Sequence, residues 1–351
     1  GLPAARYYHT SVAAGGFIYV IGGAAQGGSA QTTVYYAKLN NNGSVGTWNT
    51  NPNSLPTGIM SHSSVTNNGY IYILGGGSAV KNVYYAKINK DGTTGTWNTT
   101  TDLPDNRRYH SSVVANGYVY VIGGQNGSAA QTTVYYAKLN SDGSVGSWNT
   151  NANSITAARQ WHNSVIAGGY VYVLGGYGSG VAQEEVYYAK LNADGSTGSW
   201  STANSLPSAE YHILSIAANG YVYVVGGFDA TNELLDAYYA RANSDGSLGS
   251  WNTITNGIPD VATHSAVAVN GYVYLLGGIG DGVGGTAQTA VYYSSLARTS
   301  IFGSLDLLGH ASSTLADANS SDFGNIGGSI FAGDIFSAGR LDVASNAQFW
   351  G

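Results

Sequence analysis

The sequence predicts an all-β fold assembled from six copies of one four-stranded antiparallel unit, and three observations carry that expectation. The stretch "VYYAKLNSDGSVGSWNT" at 134–150 restates "VYYAKLNNNGSVGTWNT" at 34–50 almost letter for letter. Paired tyrosines stand at 35/36, 84/85, 135/136, 187/188, 238/239 and 292/293, a period of about fifty residues, which is the mark of a repeat array. Composition suits many short strands joined by tight turns: 51 of the 351 residues are glycine, and only 9% are charged.

Each unit reads in the same order. A β-branched run such as "HSSVVA" passes through "NG" into "YVYVIGG"; after a loop come "TTVYYAKLN", "SDGS" and "VGSWNT". These are four strands, A to D. "NG" between A and B, and "DG" between C and D, supply the positive-φ residues that tight hairpins require, so both connections are short. The Gly-Gly that ends strand B suits a place where backbones approach too closely for a side chain. Strand B alternates Tyr with Val or Ile, so both faces of each unit should be buried against neighbours. One unit alone could not bury its apolar surface.

Four marks coincide in register: the Gly-Gly, the Tyr-Tyr pair, a Trp twelve residues after the second Tyr (Trp48, Trp97, Trp148, Trp200, Trp251) and an Arg-x-x-His before strand A. Over residues 2 to about 308 this pattern resembles the kelch-repeat β-propellers. The resemblance implies an all-β, six-bladed propeller of four-stranded antiparallel blades over 1–308, with blades at about 1–54, 55–102, 103–154, 155–205, 206–257 and 258–308 and strand A innermost. Each blade is expected to use consecutive strands, with none borrowed from the other end. Blade 6 departs as an end unit, with Leu305 in place of the Trp and Thr299-Ser300 in place of Asp-Gly. Blade 5 carries His212 one place early, with Ile213 at the aligned position. Residues 309–351 do not match the repeat. They read either as a short irregular or β extension packed on the propeller, or as the start of a fibre-like stalk through which copies associate. The chain opens at a repeat boundary, which suggests a mature or excised fragment whose export signal, if any, lay upstream.

Charge and composition exclude several functions. Net charge is −6 with 13 Lys and Arg, which argues against nucleic acid and anionic membrane as partners. No apolar run approaches the roughly 18 residues of a membrane span. The chain has no cysteine, so disulfides, zinc thiolates and thiol chemistry are excluded. That also removes the Tyr-Cys cofactor of galactose oxidase, an enzyme among kelch relatives, and no cofactor is expected.

Loop lengths indicate where a site would be. From the second Gly of strand B to the first Tyr of strand C the spacings vary over 12, 8, 11, 11, 11 and 14, while the second Tyr to Trp spacing is fixed. Variation therefore collects on the face shared by the B–C and D–A loops, and loops on a rigid scaffold are where function sits. All but five of the 28 tyrosines occupy repeated positions in strands B and C; the five are Tyr7, Tyr8, Tyr109, Tyr177 and Tyr211. Trp161 joins them, aligned with Tyr8, Tyr109 and Tyr211. The candidate ligand-binding set is Arg6, Tyr8, Arg107, Arg108, Tyr109, Arg159, Trp161, Tyr177, Glu210 and Tyr211. Its rings suit the C–H faces of a sugar and its polar groups suit the hydroxyls; the rings equally suit covering the ends of the interblade core. The Arg of Arg-x-x-His is present only in blades 1, 3 and 4, with Ile59 in blade 2 and Val261 in blade 6, an asymmetry that suits a ligand more than a scaffold.

Three titratable groups have competing readings. His9, His62, His110, His162, His212 and His264 begin strand A and would ring one mouth of the channel, but a six-fold ring spreads its nitrogens too widely for one ion, so they are read as packing residues and no metal is expected. Glu210 with Arg159 and His212 is the one acid/base set, as in the sialic acid epimerase among kelch relatives; Glu210 reads equally well as a solvated loop residue. Asp91, Asp142, Asp194 and Asp245 of the DG turns lack the further oxygens of a calcium loop, and turn formation explains them. The expected function is an extracellular, cell-surface binding or adhesion module of bacterial type, taking a glycan or a surface protein, without turnover. The alternatives are a carbohydrate epimerase and a purely structural surface repeat.

Overall fold

The computed structural model describes residues 1–229, 231–255, 265–280 and 285–296. Blade 1 runs A Thr10–Ala14, B Phe17–Ile21, C Val34–Lys38 and D Asn49–Thr50, hydrogen-bonded in that order. Strands A of blades 2 to 6 are Ser63–Asn67, Ser111–Ala115, Asn163–Ala167, Leu214–Ala218 and Ser265–Val269. Their strands B are Tyr70–Leu74, Tyr118–Ile122, Tyr170–Leu174, Tyr221–Phe228 and Tyr272–Leu276. Five sheets have four antiparallel strands, and the sixth has A, B and C among the described residues. The molecule is a six-bladed β-propeller, and no helix occurs among the described residues. The outer strand expected for blade 6, Leu305, His264, Val261 and the extension 309–351 lie outside the described residues.

Strand B shows why one blade needs its neighbours. Tyr19 and Ile21 enter the cluster between blades 1 and 2 alongside Ile71 and Ile73, while Tyr72 and Leu74 on the opposite face of the same strand meet Val119 and Val121 of blade 3. Period-2 alternation thus feeds two cores from each strand. Six such clusters follow one another around the ring, and the last packs Tyr274 and Leu276 of blade 6 on Ile18, Val20 and Leu2. Each fully buried Val, Leu, Ile or Tyr there contributes on the order of 1.5–3 kcal/mol. Ring closure uses the contact made between blades 1 to 5: Leu2 N donates to Thr289 O at 2.7 Å, as Leu55 N does to Thr32 O at 2.8 Å.

The two tyrosines of strand C have separate duties. Tyr36 pairs with Tyr19 across the B–C ladder and stacks on it at 6.3 Å, whereas Tyr35 is buried toward the blade interface. The tryptophans just before strand D tie blade to blade, since Trp97, Trp148, Trp200 and Trp251 each donate Nε1–H to a carbonyl in the preceding D–A loop, at 2.9–3.2 Å. The DG glycine is needed for more than its turn. Gly143 has φ +88°, and a Cβ there would fall 2.4 Å from the Tyr70 ring of the preceding blade.

Candidate binding face

The D–A connections create the site. Each passes the end of strand B in its own blade and pairs with the residue after Gly-Gly: Tyr7 with Ala24, Arg108 with Gln125, Gln160 with Tyr177 and Tyr211 with Phe228. The next residue turns the chain inward to start strand A, and at that corner the backbone is left-handed. Tyr8 (φ 51°), Ser61 (57°), Tyr109 (55°), Trp161 (55°) and His212 (54°) all share it. For L-residues this conformation costs roughly 1–2 kcal/mol, and for bulky ones it is rare. A chain of backbone bonds holds it: Ser61 N donates to Tyr8 O, Tyr109 N to Ser61 O, Trp161 N to Tyr109 O and His212 N to Trp161 O, at 2.9–3.1 Å. These five residues form a collar around the channel mouth.

The collar corrects the alignment drawn from sequence. His212, not Tyr211, stands with Tyr8, Tyr109 and Trp161, while Tyr211 stands with Tyr7, Arg108 and Gln160. Aligning blade 5 on Gly-Gly instead of on histidine gives this register, because the close contact of the glycines fixes the corner.

Collar and ladder residues together raise a wall of aromatic rings on one side of the axis. Tyr109 lies 4.8 Å from Trp161, centroid to centroid, and Trp161 lies 5.6 Å from Tyr177 and 5.8 Å from Tyr211. Tyr211 stacks on Phe228 at 5.9 Å, and Tyr7 meets Tyr8 at 5.1 Å. Between the walls of blades 4 and 5, blade 1 and Ile279 of blade 6 is a cup of about 730 Å³, with Gln26 and Gln160 also lining it. Burial, reinforced by the neighbouring phenols of Tyr109, Tyr7 and Tyr211, pushes the Tyr8 hydroxyl up to about 12, so it is protonated at neutral pH. Tyr8, Trp161, Tyr177 and Tyr211 of the expected set therefore line one cup, and Tyr109 adjoins it. Tyr7, Gln26, Gln160, His212 and Phe228 line it too. Phe228 was legible in the sequence, since it follows Gly-Gly as Tyr177 does.

The arginines go elsewhere. Arg6, Arg107 and Arg159 are 4%, 1% and 1% exposed, set over the rings of Tyr35, Tyr135 and Tyr187 at 5.2, 4.9 and 5.2 Å. Each donates Nη2–H to that tyrosine's hydroxyl, at 3.0–3.1 Å. Arg159 also pairs with Glu185 at 2.8 Å and Arg107 with Asp105 at 3.0 Å. Their asymmetry among blades is thus built into the blade interiors. Arg108 is held by Gln125 at 2.8 Å and lies over Tyr109 at 4.9 Å.

Glu210 occupies the arginine's place in blade 5: Gly176 N donates to its carbonyl at 2.8 Å, as Gly124 N does to that of Arg159 at 2.7 Å. It is fully buried rather than solvated, and neither carboxyl oxygen has a hydrogen-bond partner among the described residues. Burial first, then the charge of Asp236, raises its carboxyl well above the usual range. It does not line the cup.

Beneath the collar the histidines bridge blades. His62 Nε2 meets Thr10 Oγ1 at 2.9 Å, His110 meets Ser63 at 2.7 Å and His162 meets Ser111 at 2.9 Å. Burial drives the imidazoles of His62, His110, His162 and His212 down to about 3, so they are neutral. Among the described residues no three His, Asp or Glu side chains converge to hold a metal. Ser11, Ser64 and Ser112 line the channel below, a space of about 270 Å³. The DG aspartates accept from residues of their own turns, as Asp142 does from Ser144 N and Oγ at 2.9 and 2.7 Å.

A repeated four-stranded antiparallel blade, closed into a ring, defines a propeller of the kelch class. The chain belongs to the kelch-repeat family: residues 8–202 match the KLHDC2/KLHL20/DRC7 Kelch-repeats domain. It is similar to Kelch-like protein terF of Aspergillus terreus, 27% identical over 49% of this chain and 38% of that protein. It is also similar to F-box/kelch-repeat protein At1g67480 of Arabidopsis thaliana, 30% identical over 40% of this chain and 35% of that protein. The chain thus spans well under half the length of these curated relatives. Kelch repeats generally mediate protein–protein binding.

Proposed function

We propose that this chain is a binding module that recognises a glycan or a surface protein through its B–C/D–A loop face and serves outside the cell as an adhesion head. One observation carries the reading: five consecutive blades hold the collar residue in a left-handed backbone, and three of these residues are Tyr or Trp, whose rings are thereby directed to one face. Strain of this kind persists where the surrounding structure over-determines it, and it clusters at ligand sites. The propeller over 1–308 would present the face, and residues 309–351 would extend it from a surface or join copies.

The test is adhesion of the purified chain to intact cells and to extracellular matrix, compared among variants. Tyr211→Ala and Tyr177→Ala, within the cup, should abolish retention, while Lys138→Ala, exposed at the C–D end of blade 3, should leave it unchanged. Equal retention by all three would remove the reading. The epimerase alternative would replace it if the chain accelerates sialic acid mutarotation and Glu210→Gln loses that activity.

A further inference from the structure

We infer that the cup takes the uncharged end of a glycan, with a sugar ring laid on the Trp161–Tyr211 surface; this rests on the loop-face reading above and narrows it. Three features of the cup select the ligand class.

The first is ring spacing. Trp161 and Tyr211 lie 5.8 Å apart with their planes tilted by 38°, Tyr177 stands edge-on to both at 67° and 70°, and Tyr211 stacks on Phe228, so these rings pack on one another as a single wall. A cage for an alkylammonium group needs ring faces set apart on several sides of the cation. Within the Trp161–Tyr177–Tyr211 wall there is no such gap. The tilted Trp161–Tyr211 pair offers electron-rich ring faces side by side, which suits the polarised C–H face of a pyranose.

The second is charge. No charged side chain is among the described residues that line the cup. The cations nearest it in sequence are committed elsewhere: Arg6 and Arg159 inside their blades, Arg108 to Gln125 and Tyr109. A sialate, uronate, phosphate or peptide carboxylate would lose its water here without gaining a counter-charge, and that desolvation is costly. A neutral sugar avoids it.

The third is the polar complement. Gln26 Oε1 accepts from Ala287 N at 2.7 Å, which fixes the amide and leaves its NH2 group as the donor. The Gln26 amide is therefore oriented to donate, and sugar hydroxyls accept. Gln160 also lines the cup, although its Oε1 is buried. At about 730 Å³ the cup is in the usual range for small-molecule sites, about 300–1,000 Å³.

The experiment titrates the full chain with neutral oligosaccharides (galactosides, glucosides, mannosides and N-acetylglucosaminides) and with sialylated and uronate-bearing counterparts, read by calorimetry and by tryptophan fluorescence. At least one neutral series should bind, with an emission change that Trp161→Phe removes. Affinity should fall at least tenfold in Tyr211→Ala and in Gln26→Ala, while Lys138→Ala, exposed at the C–D end of blade 3, leaves it unchanged; circular dichroism checks that each variant folds. Binding confined to acidic sugars overturns the inference. So does an absence of sugar binding up to millimolar concentration. If in that case Tyr177→Ala and Tyr211→Ala still abolish adhesion, the loop-face reading stands and its partner is a protein; if adhesion also ignores them, both readings fall.

Discussion

The N–H of His212 donates to the carbonyl of Trp161 at 2.9 Å, and the imidazole lies 4.9 Å from the indole, although the two residues belong to adjacent blades. Both are left-handed, at φ 54° and 55°. The same bond links Trp161 back to Tyr109 and Tyr109 to Ser61. A side chain at the collar is therefore positioned by its neighbours' backbones as much as by its own.

Tyr109 tests this without touching the cup. Tyr109→Gly relieves the left-handed strain while losing ring packing, and the opposed terms leave stability within about 1 kcal/mol of the parent. Tyr109→Val, which is β-branched, should cost about 2 kcal/mol more than the glycine variant. Urea denaturation of the pair gives the difference, and equal midpoints would show that the collar carries no strain.

Two turn glycines separate backbone from contact. At Gly117 (φ +78°) a Cβ would meet nothing within 4 Å, whereas at Gly143 (φ +88°) it would strike Tyr70. Gly117→Ala should cost about 1–2 kcal/mol, the left-handed penalty alone. Gly143→Ala should cost a further 1–3 kcal/mol or so for displacing the ring. Thermal denaturation measures both, and the gap should close when Tyr70→Ala is added.

Acid should unfold the ring through its histidines. The imidazoles of His62, His110, His162 and His212 fall to about 3 in the folded state, against about 6.5 unfolded. The unfolded chain therefore binds the extra protons. Stability is full above about pH 6.5 and declines as pH falls toward 3, by roughly tenfold in the folding constant per pH unit for each histidine. His62→Gln should weaken this slope while costing stability at pH 8, where the contact to Thr10 is altered. An unchanged slope would show that the imidazoles ionise within the fold.

Blade 5 reverses the sign. Glu210 has its carboxyl raised by burial and then by Asp236, so the folded state holds a proton that the unfolded chain releases. Its share of stability is full below the ordinary carboxylate value and falls as pH rises from there toward its folded value. Glu210→Gln should remove that decline and raise the melting temperature at pH 8. Glu210→Arg should fold as well, since it would restore beside Asp236 and Tyr238 the arrangement Arg159 makes with Glu185 and Tyr187. Arg107→Ala, by contrast, should cost about 3–5 kcal/mol, because Arg107 is a buried, paired cation. Its effect on binding should follow its effect on folding.

What the sequence by itself determined is the blade. Alternation in "YVYVIGG", the turns at "NG" and "DG", and the Tyr-Tyr register are relations among residues close in the chain, and short-range geometry settles them. The aromatic census also located the ring-lined cup, because Tyr8, Trp161, Tyr177 and Tyr211 stand outside the repeated positions of strands B and C. The tertiary structure alone decided which of them meet. Tyr7 and Tyr211 are far apart in the chain and line one cup because the ring closes. It also decided that Arg6, Arg107 and Arg159 turn inward: the ring and hydroxyl of a strand-C tyrosine satisfy a guanidinium that the sequence offers equally well to a ligand. Glu210 was open between proton carrier and surface loop for the same reason, and the interblade packing buried it. Contacts between blades are long-range, so their outcome depends on closure, which no single repeat encodes.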